Sequence, residues 1–223
     1  RIWVAGYSRG VMQIDPKTQT VKRYEHDPND PTSLVGNSGL IIYEDQQNQI
    51  WISTRQGLNK YNEATDGFTR YTNDPYDPLS ISENTALSMF EDEKGNFWIG
   101  TNGGGLNKMD RDKGTFISYT LKDGLADNNV LSINTSKKGL LWLSTFAGIT
   151  SFDPSTETFK NYAKGDGSIQ STGANAFTPH LGKFSGIIYA EYNEGIIAFH
   201  PDSIDINPVP PKIQLEKLII DKI

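Results

Sequence analysis

The chain contains four tryptophans, Trp3, Trp51, Trp98 and Trp142, spaced 48, 47 and 44 residues apart, and Tyr189 follows 47 residues later. Around them the sequence reads IWVAG, IWIST, FWIGT, LWLST and IYAEY. A glycine comes six or seven residues on, at Gly10, Gly57, Gly105, Gly148 and Gly195. A second alternating segment then begins, reading VMQID, LNKYN, LNKMD, ITSFD and IIAFH. A third segment ends in tyrosine at Tyr24, Tyr71, Tyr119 and Tyr162, and a fourth precedes the tryptophan, as in LIIYED, LSMFED and LSINTS. Asn37, Asn84, Asn128 and Asn175 each stand 14 residues before their aromatic, the first three opening an N-x-x-L lead-in. A period of this length decides the architecture before any single residue does.

Each unit therefore holds four short runs of period two, and period two marks a strand with one face buried. Four strands in a unit of this length are the pattern of an all-β propeller with antiparallel four-stranded blades. A helical solenoid would need apolar residues at i, i+3, i+4 and i+7, which no unit shows. A parallel β-helix has shorter coils and lacks the long polar connector found here. The 21 glycines, 11 prolines and 11% aromatic content suit short strands and tight turns.

Counted from Trp3, residues 1–207 give about four and a half blades, beginning inside the second strand of one blade, so the ring is expected to be incomplete. Composition then shifts to NPVPPKIQLEKLIIDKI. Paired prolines break strand pairing, and the alternating IQLEKLII that follows predicts a linker and first strand of a further sheet over residues 208–223.

A net charge of −6 and a pI near 5.1 argue against a nucleic-acid groove, which needs a basic stripe. No run of 18 apolar residues is present to cross a membrane as a helix. No signal peptide is evident, although opening in mid-pattern leaves room for a leader upstream. Cysteine is absent, which removes disulfides and Cys-based metal sites or catalysis.

The segment EDEKGNFWIGTNGGGLNKMD resembles the two-component regulator propeller repeat, and the resemblance extends over residues 1 to about 220. The Pro-rich exit followed by KIQLEKLII is similar to the entry of the Ig-like sandwich that follows such propellers. The resemblance implies a periplasmic sensor region of a membrane-anchored hybrid two-component protein. Such a region binds an oligosaccharide, forms a homodimer and controls a cytoplasmic histidine kinase outside this chain. It implies no catalysis, cofactor or metal in this segment, and no membrane contact by it. Two other functions compete: a protein-docking propeller without a small ligand, and a propeller lyase using a His and a Glu with a divalent metal. His26, His180 and His200 fall in different parts of their repeats with no His-x-Glu or paired-His motif, which argues against the lyase.

Positions that recur in every unit serve the scaffold, and positions that differ are free for function. The tryptophans are thus expected between blades, the asparagines at turns or strand starts, and the closing tyrosines partly buried on outer strands. The connectors YEHDPNDPTSLVGN and YTNDPYDPLSISEN align without a gap. Their Asp27, Asp30, Asp74 and Asp77 lack the alternate carboxylates and central glycine of a calcium loop and read as turns.

Four residues after the aromatic, the pattern varies: Tyr7, Arg55, Asn102, Phe146 and Asn193. Arg9, Gln56, Tyr192 and Glu194 flank them. Zigzag connectivity places these loops on the same face as the connectors, and binding residues concentrate on loops held by a rigid scaffold. Aromatic faces beside amides and a guanidinium suit carbohydrate. Tyr7, Arg9, Arg55, Asn102, Phe146, Tyr192 and Asn193 are the expected oligosaccharide contacts. Arg9 and Arg55 would be directional anchors, and Tyr7, Phe146 and Tyr192 would supply apolar surface.

Overall fold

The structure, a computed structural model, describes residues 1–162, 180–181, 186–192 and 195–203. The expected boundary at residue 207 and the segment 208–223 lie outside the described residues, as do Asn175, Asn193 and Glu194. No α-helix occurs among the described residues; two 3₁₀ turns, Leu121–Asp123 and Pro201–Ser203, interrupt an otherwise all-β chain.

The alternating runs become strands in the expected order. The first sheet holds β1 (Ile2–Ala5), β2 (Val11–Ile14) and β3 (Val21–Tyr24). The second holds β4 (Gly39–Glu44), β5 (Ile50–Thr54), β6 (Gly57–Asn62) and β7 (Gly67–Tyr71). The third holds β8 (Ala86–Glu91), β9 (Phe97–Thr101), β10 (Leu106–Asp110) and β11 (Thr115–Tyr119). The fourth holds β12 (Val130–Thr135), β13 (Leu141–Thr145), β14 (Gly148–Asp153) and β15 (Thr158–Tyr162). The fifth holds β16 (His180–Leu181), β17 (Ile188–Tyr192) and β18 (Gly195–Phe199). Neighbours within each sheet are consecutive and antiparallel, and the inner strands β4, β8, β12 and β16 lie in succession beside one another. The sheets are propeller blades.

In the third and fourth blades the strand carrying the tryptophan is buried on both faces, because it lies between neighbouring blades: every residue of β9 and β13 is buried. Each indole packs on the third strand of the following blade. Trp3 meets Tyr61 at 4.8 Å between centroids, Trp98 meets Phe152 at 5.6 Å and Trp142 meets Phe199 at 5.1 Å. Trp51 shares a buried cluster with Met109, the corresponding residue of its neighbour. Trp51, Trp98 and Trp142 are 0–1% exposed, as expected for inter-blade core. Tyr189, at the equivalent position of the fifth blade, is instead 41% exposed; no ring among the described residues packs on it as Phe152 packs edge-on against Trp98.

An aspartate six residues before the tryptophan organises the turn into its strand. Asp45 accepts the backbone N–H groups of Gln47 and Gln49 on one oxygen and Trp51 Nε1, at 2.9 Å, on the other. Asp92 repeats this with Lys94, Asn96 and Trp98. The fourth blade has Ser136 at that position, and Trp142 Nε1 is buried without a hydrogen-bond partner.

The asparagines of the lead-in hold their own connectors. Asn37 Oδ1 accepts His26 N–H at 2.6 Å, Asn84 accepts Asn73 N–H at 2.8 Å and Asn128 accepts Leu121 N–H at 2.8 Å. The leucine of the same motif marks a β-bulge in β4, β8 and β12, with register shifts between Gly39 and Ile41, Ala86 and Ser88, and Val130 and Ser132. Such a bulge bends the strand and leaves the extra residue unpaired. Each connector aspartate caps the backbone two residues on: Asp27 takes Asn29 N–H, Asp30 takes Thr32, Asp74 takes Tyr76 and Asp77 takes Leu79. The closing tyrosines reach the next blade. Tyr24 donates to Asp66 of the second blade at 2.7 Å, an acid that Tyr61 of that same blade also meets at 2.8 Å, and Tyr119 donates to Glu157 at 2.8 Å.

The connectors also cover the outer strand of the blade they lead to. Phe68 N–H donates to Thr32 O at 2.7 Å and Phe116 N–H donates to Leu79 O at 2.8 Å. Arg70 adds bonds from its guanidinium to the carbonyls of Asp30, Ser33 and Leu34.

Candidate functional site

The loops between second and third strands stand on a fixed base. The threonine ending the second strand donates its hydroxyl to the recurrent glycine: Thr54 to Gly57 O at 3.0 Å, Thr101 to Gly105 O at 2.9 Å and Thr145 to Gly148 O at 3.0 Å. In the first blade Gly6 takes this place, and the longer loop closes through Gly6 N–H to Gly10 O at 2.9 Å. The glycine is required where this loop is long. Gly105 has φ +82°, and a Cβ there would lie 2.1 Å from Tyr119 O. Chain conformation thus holds the roots while the tips project into solvent.

These tips and the connectors share one face. Gly10 N–H donates to Asn37 O at 2.8 Å and Gly105 N–H donates to Asn128 O at 2.8 Å. On that face Arg55 Nη2 donates to Tyr7 OH at 2.6 Å, and its guanidinium carbon lies 5.1 Å from the Tyr7 ring centroid. Tyr7 is 68% exposed and Phe146 41% exposed; Arg9, Arg55 and Asn102 are exposed too. Thr85 links two of the loops, donating its hydroxyl to Arg55 O at 3.3 Å and accepting Asn102 N–H on its carbonyl at 3.0 Å. Asn102 also bridges to Asn129 of the next connector. Of the seven expected contact residues, the structure joins Tyr7 with Arg55 directly and places Asn102 one residue further along the same stitching. Phe146 occupies the equivalent tip of the fourth blade. Arg9 stands beside Tyr7 on its loop, Tyr192 ends β17 opposite Gly195, and Asn193 lies outside the described residues. Thr85 was missed by the sequence reading, because its role depends on two backbone groups from other segments.

The opposite face carries the strongest electrostatics. Arg111, in the β10–β11 turn, donates to Asp45 Oδ2 of the second blade at 2.9 Å, to Glu91 Oε1 at 2.5 Å and to Gly95 O at 2.9 Å. The side chains of Asp45 and Glu91 are 0% and 2% exposed. Burial opposes ionisation of Asp45, but bonds from Trp51, Gln49, Gln47 and Arg111 outweigh it and hold the carboxyl below its ordinary range. Burial opposes the charge on Arg111 as well, and the two carboxylates outweigh it and raise its pKa. With Gln46 N–H donating to Glu91 Oε2 at 2.7 Å, this cluster pins two blades together. Nothing about it demands a ligand.

The histidines stand in three different segments of the fold. His26 Nδ1 donates to Leu34 O at 2.7 Å, His180 opens β16, and His200 sits before the second 3₁₀ turn. Among the described residues no three His, Asp or Glu side chains are grouped to hold a metal ion.

Residues 80–103 match the family described as "Two component regulator propeller". No curated protein sequence matches the chain. Among solved structures, the fold matches the extracellular domain of BT3049 from B. thetaiotaomicron, assigned as a hybrid two component system, with a TM-score of 0.71 and 24% identity. That match covers 90% of this chain and 25% of the other. The extracellular domain of BT4673 from the same organism matches with a TM-score of 0.72 and 23% identity, over 92% of this chain and 29% of that one. A catalytically inactive variant of virginiamycin B lyase from Staphylococcus aureus matches at 0.58 with 13% identity, over 93% of this chain and 67% of the lyase. The chain thus spans under a third of the length of the two B. thetaiotaomicron domains. Its third blade carries a two-component regulator propeller repeat, set in a propeller fold that the chain shares with those extracellular domains.

Proposed function

We propose that this chain is the extracytoplasmic sensing part of a hybrid two-component system and that it binds an oligosaccharide on the loop face. The carrying observation is the exposed Tyr7–Arg55 pair, held at 2.6 Å on rigid loop roots, within a ring of tips whose chemistry changes from blade to blade. Aromatic rings offer a surface for sugar C–H faces, and a guanidinium makes paired hydrogen bonds to hydroxyls, carboxylates or sulfates. Tyr7, Arg9, Arg55, Asn102 and Phe146 would contact the ligand, with Tyr192 and Asn193 completing the arc. In the longer protein, residues 208–223 would begin an Ig-like sandwich. A homodimer in the periplasm would then pass the signal to a cytoplasmic kinase, so catalysis would lie outside this chain. A ligand moves such an equilibrium only through unequal affinity for its two states.

The test is a thermal-shift screen of neutral and acidic oligosaccharides against the chain and against Arg55→Ala/Phe146→Ala. The double variant is expected to lose the ligand-induced shift while its ligand-free Tm stays within a few degrees of wild type. A full response in the double variant would place the site elsewhere, and no response to any glycan in the wild-type protein would favour a docking surface for another protein.

A further inference from the structure

The fourth blade departs from its neighbours at one buried position. In the second and third blades a carboxylate oxygen sits 2.9 Å from the indole nitrogen, supplied by Asp45 or Asp92. In the fourth blade Ser136 replaces the acid, its hydroxyl accepts Leu140 N–H at 3.3 Å, and Trp142 Nε1 has no partner although the residue is 1% exposed. A buried N–H without an acceptor is costly, and native structures rarely leave one.

The surroundings explain why this matters. On the second blade a groove of about 370 Å³ runs past Gln49, Lys60, Tyr61 and Tyr71 and does not reach Trp51. The equivalent groove on the fourth blade, about 360 Å³, runs past Leu140, Ser151 and Tyr162 and does reach Trp142. Lys60, whose Nζ lies 5.6 Å from the Trp51 ring centroid, is Ser151 in the fourth blade, and past this smaller side chain the groove reaches the indole. Lys138 and Lys160 border it. Lys138 Nζ uses one proton on Asp202 O at 2.8 Å, and Lys160 Nζ lies 5.0 Å from the Tyr162 ring centroid. The groove's own carboxylate, Asp153, is turned to Ser155, accepting its N–H and hydroxyl at 2.8 and 2.6 Å.

We propose that this groove between the fourth and fifth blades binds a small carboxylate, whose oxygen takes on Trp142 Nε1 the place that Asp45 and Asp92 fill on their own tryptophans. The indole supplies a neutral donor and the two ammonium groups supply the charge that a carboxylate needs. The site is separate from the loop face and does not depend on that reading. The carboxylate could belong to a free organic acid or to a sugar acid, and the probes separate the two.

The chain labelled with ¹⁵N gives one indole N–H signal for each tryptophan, and the Trp142 signal is identified by its loss in Trp142→Phe. Titration uses sodium acetate, sodium D-glucuronate and, as the neutral counterpart, D-glucose. The Trp142 signal is expected to move with acetate, with glucuronate or with both, while those of Trp51 and Trp98 stay in place. Movement with acetate assigns any small carboxylate, and movement with glucuronate alone assigns a sugar acid. Ser136→Asp should fill the position from within, abolish the movement and raise the Tm. Lys160→Gln, a surface change, should weaken the titration several-fold and serves if Ser136→Asp does not fold. The proposal is overturned if neither carboxylate moves the Trp142 signal, if glucose moves it equally, or if both variants titrate like wild type.

Discussion

Thr85 joins the backbones of two neighbouring blades, giving its hydroxyl to Arg55 O at 3.3 Å and receiving Asn102 N–H on its carbonyl at 3.0 Å. Two expected ligand contacts are therefore positioned through one connector residue. Thr85→Val, which keeps the shape and the carbonyl, should lower oligosaccharide affinity by several-fold with a stability change of about 1 kcal/mol or less. Parallel calorimetric titration and urea unfolding measure the two effects.

Asn84 serves the scaffold. Its side chain accepts Asn73 N–H at 2.8 Å within its own connector, so Asn84→Ala should cost about 0.5–2 kcal/mol, as for other lost local caps. Ligand affinity should be unchanged. An affinity loss without a fall in Tm would contradict this assignment.

Arg111→Ala leaves two buried carboxylates without their cation, and breaking a buried pair from one side costs about 3–5 kcal/mol. The pH dependence follows from Asp45. Its folded pKa is depressed, so its contribution is present above the unfolded value and is lost as pH falls through the folded value. Wild-type stability should hold as pH falls from 7 to about 4 and then decline. In Arg111→Ala the decline should begin at higher pH, because the cation no longer favours the charged form. Chemical denaturation across this range checks both the magnitude and the direction.

Gly105→Ala meets two obstacles, a left-handed φ of +82° and Tyr119 O at 2.1 Å from the new Cβ. The conformation alone costs about 1–3 kcal/mol, and the backbone clash adds to it. A fall in Tm well beyond that of Asn84→Ala is expected.

Trp98→Ala should cost about 3–5 kcal/mol through the cavity left between the third and fourth blades. Far-ultraviolet circular dichroism of the wild-type chain should show little helix. A helical spectrum, or a Trp98 variant of unchanged stability, would contradict the inter-blade position.

The blades were legible because the inter-blade contact repeats: a residue placed on both blade faces must be large and apolar in every unit, and the tryptophan spacing records that. The asparagine lead-in was legible as structure, although its leucine gave no sign of the bulge it marks. Asp45 and Asp92 were visible only as part of the ED motif, and their bond to the indole six residues on is a matter of geometry. Arg111 was illegible. It occurs once, and its partners lie 66 and 20 residues away. The loop tips could be listed from their variation, whereas contact between Tyr7 and Arg55 depends on how two blades are rotated against each other. Tyr189 shows the limit of the period: the position repeats, but burial depends on what packs against it.

The connectors that seal the outer strands bear on how copies of this protein can meet. An open outer strand offers a row of free backbone groups on which another molecule's strand can grow. Where Thr32 and Leu79 already receive the N–H groups of Phe68 and Phe116, that template is occupied by the chain itself. At the second and third blades, strand exchange and edge-to-edge growth are therefore blocked at these points, and self-association there has to be written in side chains.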